Sequence, residues 1–541
     1  MIETRMTILR AVPGHGASST ADLEERLTSF AESPLDAVDF LETYWSELVA
    51  EHPLVLRSHI MSLPEQYWGK NPSLLIALAS TNRFCHPANP FAAITYIDAA
   101  DRAMSKSGTV SPDLMIVSLI ERATAYRAIG RLDESLELAT RVISELNAAT
   151  MPVTRRMALE ALALAQRGIC LMFRGELEAA RRDLSHALRL GEGSGSRALD
   201  VEVLGCLALL TYFSGAPAVP GDYVALARAA SDGTSIMRTV SGAPALVTSF
   251  LLALDEGRVD EAEAAVDELR RVSPGSEYDP LTSLAIGLLY GGLNVHLDEL
   301  DELEHMQIAL REWQSSPLLQ QLHDAHRSNA LISIGEFSVA RETIGRLTAD
   351  AHHAMCPGRY EARLAFAVGD YDAVLRIAAA CHALGDGHSP RSLVFVDILA
   401  AAAHHCLGDL TTARAGFDRA LMRAARTGWR RHFIEIPHDR LRRMLDETRS
   451  RHLSEDARQV VEELSETLRP DNSVESLPPL SPRERLVLQQ IIAGQTRQQI
   501  SSRLMVSPNT VKAQVRSIYR KLGVVTRHEA VHRARKFGLT A

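Results

Sequence analysis

Lysine is scarce in this chain. Of its 541 residues only five are lysine: Lys70, Lys106, Lys512, Lys521 and Lys536. A nucleotide-binding P-loop needs a lysine directly after its glycines, so that an ammonium reaches the terminal phosphates. Gly69-Lys70 is followed by Asn71 and has no upstream glycine at the right spacing, and the loop Gly14-His-Gly16 has no lysine. An ATP-driven switch is therefore not expected, nor any cofactor. A phosphoacceptor receiver domain is excluded on the same ground, because it also needs alternating strands that are missing. Aromatic residues make up only 5%, and alanine and leucine are plentiful, which favours helices over strands. The six cysteines, Cys85, Cys170, Cys206, Cys356, Cys381 and Cys406, are scattered and form no CxxC pair. Several sit in apolar runs, so buried free thiols of a reducing compartment are expected. His352-His353 with Cys356, Cys381-His382 and His404-His405-Cys406 place neighbours on different sides of a helix, which is poor for one tetrahedral metal site. No metal is expected. No uncharged apolar stretch reaches 18 residues, and Met1–Arg10 shows no apolar core followed by a cleavage site. The expectation is no membrane association and a cytoplasmic location. No nucleophile–base pair or catalytic motif stands out, so the chain is not expected to be an enzyme.

The charge that is present is unevenly spread. Residues 477–541 hold 12 Lys/Arg against 2 Glu, or +10, so the remaining 476 residues carry −19 of the net −9. A basic tail on an acidic body points to a polyanion partner for the tail alone.

From about residue 34 to 450, apolar residues recur at three- and four-residue steps, the period of amphipathic helices. A longer pattern lies on top. Gly130-Arg-Leu-Asp-Glu-Ser135, Gly175-Glu-Leu-Glu-Ala-Ala180, Gly257-Arg-Val-Asp-Glu-Ala262, Gly335-Glu-Phe-Ser-Val-Ala340, Gly369-Asp-Tyr-Asp-Ala-Val374 and Gly408-Asp-Leu-Thr-Thr-Ala413 share one design. Their glycines are 45, 82, 78, 34 and 39 residues apart, and Gly215 falls near the middle of the first long gap. Glycine ends one helix, an acidic residue favours the start of the next, and a small residue lets the two approach. A single hairpin cannot bury its apolar face, so hairpins stack. The pattern resembles a degenerate tetratricopeptide repeat. It implies an all-α fold of stacked helical hairpins, with an irregular helical domain as the alternative.

The expected divisions are a loosely ordered 1–30, a helical repeat domain over 31–468, a proline-rich linker over 469–479, and a final domain over 480–541. Four helices can be cut from that last stretch. Ser481 caps the first, with Pro482 next and Glu484 closing a capping box. Thr496 with Gln499 starts the second, Ser507 the third, and Thr526 with Glu529 the fourth. Only Met505 and Val506 separate Leu504 from Ser507, so the second and third helices meet in a tight turn. On the third helix Val511, Val515, Ile518 and Leu522 share one face. Lys512, Arg516 and Arg520 line an adjacent stripe beside Ala513 and Ser517.

These residues resemble the LuxR-type (NarL/FixJ-type) DNA-binding domain, at Leu480, Arg483, Glu484, Val487, Leu488, Gly494, Ile500, Leu504, Ser507, Thr510, Val511, Lys512, Ile518, Lys521, Leu522 and Val524. A Thr-Val-Lys helix also occurs in sigma-factor region four. Lys521-Leu-Gly-Val524 followed by Thr526-Arg-His-Glu-Ala-Val531 favours the LuxR type. The resemblance implies a four-helix helix-turn-helix domain that reads double-stranded DNA with Lys512, Ala513 and Arg516. It places Ser507, Thr510, Lys521 and Arg497 at the phosphates, with Asn509 and Arg520 beside them, and puts a dimer face at Ala530, Val531 and Ala534. Gln514 stands where the family has histidine, and Arg497-Gln-Gln replaces Asn-Lys-Glu, which bears on the target sequence. The implied function is a transcription regulator, homodimeric on DNA and working with RNA polymerase. Its repeat domain would sense a protein, peptide or small molecule. The alternative is a repeat scaffold for proteins whose tail has lost specific DNA binding.

Overall fold

The computed structural model describes residues 52–107, 112–148, 151–191, 196–214, 219–232, 234–292, 303–307, 316–349, 355–434, 436–449, 453–467, 480–492, 497–504 and 506–522, with isolated positions between. Among the described residues there are helices and turns and no strand. The chain divides into two compact units, Met1–Val461 and Glu462–Ala541. The expected segments 1–30 and 469–479 lie outside the described residues.

The first unit opens with α1 (Pro53–Ser62), α2 (Pro72–Thr81) and α3 (Pro90–Ser107). Hairpins follow: α4 (Pro112–Ala128) with α5 (Leu132–Ala148), α6 (Val153–Phe173) with α7 (Leu177–Gly191), and α8 (Arg197–Ser214) with α9 (Pro220–Ala230). Next come α10 (Ala243–Asp255) with α11 (Val259–Val272), the helix α12 (Asp279–Gly292), and α13 (Pro317–Ser333) with α14 (Phe337–Ile344). The run closes with α15 (Pro357–Ala367) and α16 (Tyr371–Ala383), α17 (Pro390–Leu407) and α18 (Leu410–Thr427), then α19 (His438–Arg449), and the division between the units falls within α20 (Glu455–Thr467). The first helices of successive hairpins touch one another, forming a continuous inner row.

All six repeat glycines occupy the left-handed region, with φ between 76° and 86°. At five of them an added Cβ would meet nothing within 4 Å, so the backbone conformation selects glycine and space does not. The turns close helix ends in one way. The residue after each glycine reaches back five positions, as from Glu176 N–H to the Leu171 carbonyl (2.9 Å) and from Asp370 N–H to the Ala365 carbonyl (2.9 Å). This six-to-one bond satisfies a carbonyl that the helix leaves open. The acidic residue does more than complement a dipole. Asp370 accepts from Ala373 N–H (2.9 Å) and Asp409 from Thr412 N–H (3.2 Å), so both are N-caps. The sixth position of each motif, Ser135, Ala180, Ala262, Ala340, Val374 and Ala413, is buried against its partner helix. Gly215 lies outside the described residues.

The core of the first unit contains an ionic group. Arg127 and Glu277 are wholly buried, and they pair at 2.5 Å. Arg83 bonds Glu277 at 2.9 Å and also pairs with Glu202, which accepts from the Tyr278 hydroxyl at 2.8 Å. Burial alone would raise the Glu277 carboxyl, but Arg127 and Arg83 outweigh it and hold it below the ordinary carboxylate range. Residues far apart in sequence are thereby joined at one point.

In the second unit α21 (Pro482–Ile492), α22 (Arg497–Leu504) and α23 (Pro508–Leu522) pack on one another. Their core holds Val487, Leu488, Ile491, Ile500, Val511 and Ile518.

Candidate nucleic-acid interface

The third helix of this unit is built to show one face. Val511, Val515, Ile518 and Leu522 are buried, and Lys512, Ala513, Arg516 and Arg520 are exposed. Lys512, Arg516 and Arg520 follow at four-residue steps, so their cations form one ridge along the helix. Ala513 beside them adds no bulk. The ridge is held in place from beneath by apolar packing and at its start by a cap. Ser507 Oγ accepts from Thr510 N–H at 3.1 Å and lies 2.8 Å from the Thr510 hydroxyl.

Glu484 fixes the angle of α23 on α21. Its carboxylate accepts from Ser481 N–H (2.6 Å) while Ser481 Oγ accepts from Glu484 N–H (3.2 Å), the reciprocal capping box expected from sequence. The same carboxylate also accepts from the Ser517 hydroxyl (2.8 Å) and the Lys521 ammonium (2.7 Å) on α23. Burial pushes this carboxyl up, yet Lys521, the Ser481 amide and Ser517 outweigh it and hold it at about 2.

Sequence and structure diverge at several positions. Lys521 is half-buried and bound to Glu484, so it serves the packing of the helices before any phosphate. Ala530 and Ala534 are wholly buried in the core of the unit. These two side chains therefore offer no surface to a second copy, and Val531, the third residue of the expected dimer face, is not among the described residues. The small side chains that suggested an interface instead allow close packing inside. Val531, Thr496 and Thr526 lie outside the described residues, as do the side chains of Arg497 and Asn509. Arg497 itself is the first residue of α22.

The cysteines are free thiols; Cys170, Cys206, Cys356 and Cys381 are buried and Cys85 and Cys406 half-buried. Of the neighbouring histidines, His382 pairs with Asp397, His404 with Asp409 and His405 with Glu447, while His352 and His353 lie outside the described residues. Instead Cys356 and Cys381 face each other with sulfurs 3.8 Å apart, and His388 brings a ring nitrogen within 4.8 Å of both. That trio comes from three segments, and no spacing in the sequence reveals it. Among the described residues no helix is long and apolar enough to cross a membrane.

Residues 478–534 match the model of the family described as bacterial regulatory proteins, luxR family. The C-terminal unit carries a LuxR-type domain. The chain is 35% identical over 105 residues to the HTH-type transcriptional activator RamA of Corynebacterium glutamicum, covering 19% of this chain and 36% of that one. It is 43% identical over 58 residues to the HTH-type transcriptional regulator MalT of Yersinia pestis, covering 11% of this chain and 6% of that one. The chain thus spans well under half the length of these relatives. A solved structure of a Rap protein complexed with competence and sporulation factor aligns over 67% of this chain and 99% of that one, at 12% identity and a TM-score of 0.42. The other compact unit is the helical-hairpin array described above.

Proposed function

We propose that this protein is a sequence-specific DNA-binding transcription regulator whose helical-hairpin unit acts as the sensor. The observation that carries the reading is the exposed ridge Lys512–Arg516–Arg520 on a helix whose opposite face is buried. A helix of this kind fits the major groove, and the small Ala513 lets its backbone approach the base edges. Lys512 and Arg516 take the bases. Ser507 and Thr510 at the helix start, with Arg497 on α22 and Arg520 further along α23, take the phosphates. The acidic first unit leaves DNA to the second. Two copies on an inverted repeat, acting with RNA polymerase, complete the reading.

The test is selection of genomic DNA fragments by the full chain, repeated with Arg516→Ala at two salt concentrations. Enrichment of a short shared sequence, weakened by about 1–3 kcal/mol in the variant, is the expected result. An inverted repeat in that sequence would support two copies per site. No enrichment at either salt would favour a protein-binding scaffold.

A further inference from the structure

Cys356, Cys381 and His388 meet where three helices of the first unit join. Cys356 is the N-cap of α15, Cys381 sits in the last turn of α16, and His388 stands two residues before α17. All three are buried, at 3%, 6% and 3% exposure. Ile377, Ala378, Leu393 and Val396 pack around the thiols.

The distances are those of a ligand set. Two sulfurs bound to one zinc ion, each about 2.3 Å from it at the tetrahedral angle, stand about 3.8 Å apart. The Cys356 and Cys381 sulfurs are 3.8 Å apart, far beyond the about 2.05 Å of a disulfide. Two thiols in plain contact would also stand so, and the imidazole separates the two readings. A ring nitrogen of His388 lies within 4.8 Å of both sulfurs. Zinc would draw it to about 3.6 Å from each, a closure of at most about 1.2 Å.

The ring is also turned for the task. His388 Nδ1 is 3.1 Å from the Ser389 carbonyl. A carbonyl oxygen only accepts, so Nδ1 carries the proton and Nε2 keeps its lone pair. Histidines that bind metal are commonly fixed in this way by the nitrogen that does not.

Gly358 adds a separate sign. It is the second residue of α15, and a Cβ there would come 3.1 Å from the Cys381 sulfur and 3.4 Å from the Cys356 sulfur. Any other residue would crowd both thiols. Glycine weakens a helix, and at this position it leaves room at the sulfurs. Charge agrees with the geometry. Two thiolates cancel the two charges of a zinc ion, so the centre can lie among apolar side chains. The start of α15 favours the thiolate of Cys356.

We propose that Cys356, Cys381 and His388 bind one zinc ion, with a water in the fourth position, and that the metal pins the joint of α15, α16 and α17. The site stands whether or not the first unit is a sensor.

The test titrates the reduced full chain with cobalt(II), whose absorption reports its ligands, and then with zinc. One cobalt per chain is expected, with thiolate-to-cobalt charge transfer in the near ultraviolet and the strong visible bands of a four-coordinate site. Zinc should bleach both, because thiolate sites select it, and should raise the melting temperature. Cys356→Ser with Cys381→Ser should abolish the charge-transfer band. His388→Gln should keep part of the band and weaken zinc binding at least about tenfold. Cys85→Ser with Cys406→Ser removes the two half-buried thiols elsewhere and should behave as wild type. Circular dichroism reports whether each variant folds. Where the Cys356/Cys381 variant does not, the Cys85/Cys406 variant still decides, because loss of the band there would assign the metal to other thiols. That loss, no charge-transfer band in the wild type, a band that zinc does not displace, or a folded Cys356/Cys381 variant that keeps the band would overturn the proposal.

Discussion

Glu484 shows how much one side chain does in the small second unit. It closes a helix start and ties α21 to α23 through Ser517 and Lys521. Its folded carboxyl lies near 2, against the usual 4.5. A lowered carboxyl contributes stability that is complete above pH 4.5 and fades as pH falls toward 2. The protection factors of amides 483–522 in the full chain, taken against the intrinsic exchange rate at each pH, should therefore fall over that range. Glu484→Gln should cost about 1–3 kcal/mol of protection at neutral pH and flatten the acid dependence. Equal protection in the variant would mean that the apolar core alone sets the helix angle. The capping box itself was legible, because serine and glutamate three apart before an apolar run carry a local signal. The reach to Ser517 and Lys521 spans more than thirty residues and leaves no such trace. Ala530 and Ala534 misled for a related reason: a small side chain suits an interface and a tight core equally well.

At the scale of elements, the hairpins were the most readable part of the chain. Each is marked by a local rule, a glycine at a helix end followed by a cap, and every one of the six glycines adopts the required left-handed turn. The price of breaking the rule is calculable. Gly369→Ala places a Cβ in open space but in a disfavoured backbone region, so about 1–2 kcal/mol should be lost with no change in core packing. Gly168→Ala differs in kind, because its Cβ would come within 2.7 Å of Leu184 Cγ across the α6–α7 contact. Chemical denaturation of both variants should show the first shifting the midpoint at constant slope. A Gly369→Ala protein as stable as wild type would contradict the assigned turn. A cavity of about 370 Å³ in the first unit, lined by residues such as Phe213, Phe250, Arg391 and His432, was far less legible. Arg359 and Arg363 stand one helical turn apart, which is a visible hint, but Asp255, Arg391 and His432 reach the same wall from other helices. Only the stacking order brings them together.

Over the whole molecule, stacked hairpins have a known weakness. Each unit leans only on its neighbours, so such arrays tend to come apart piece by piece. The buried ionic group changes that expectation. Arg83, Arg127, Glu202 and Glu277 belong to segments separated by up to 194 residues, and none can leave the group without stranding another charge in the core. Removing one partner of a buried pair typically costs about 3–5 kcal/mol. Arg127→Ala should therefore do more than lower the melting point. The wild-type segment from about residue 83 to 278 should melt in one calorimetric transition, and the variant should split it into two or broaden it. A variant that melts as sharply as wild type would show that apolar packing already couples these hairpins. The ionic group thus works as a clasp across a chain of otherwise separable links, making their loss all-or-none.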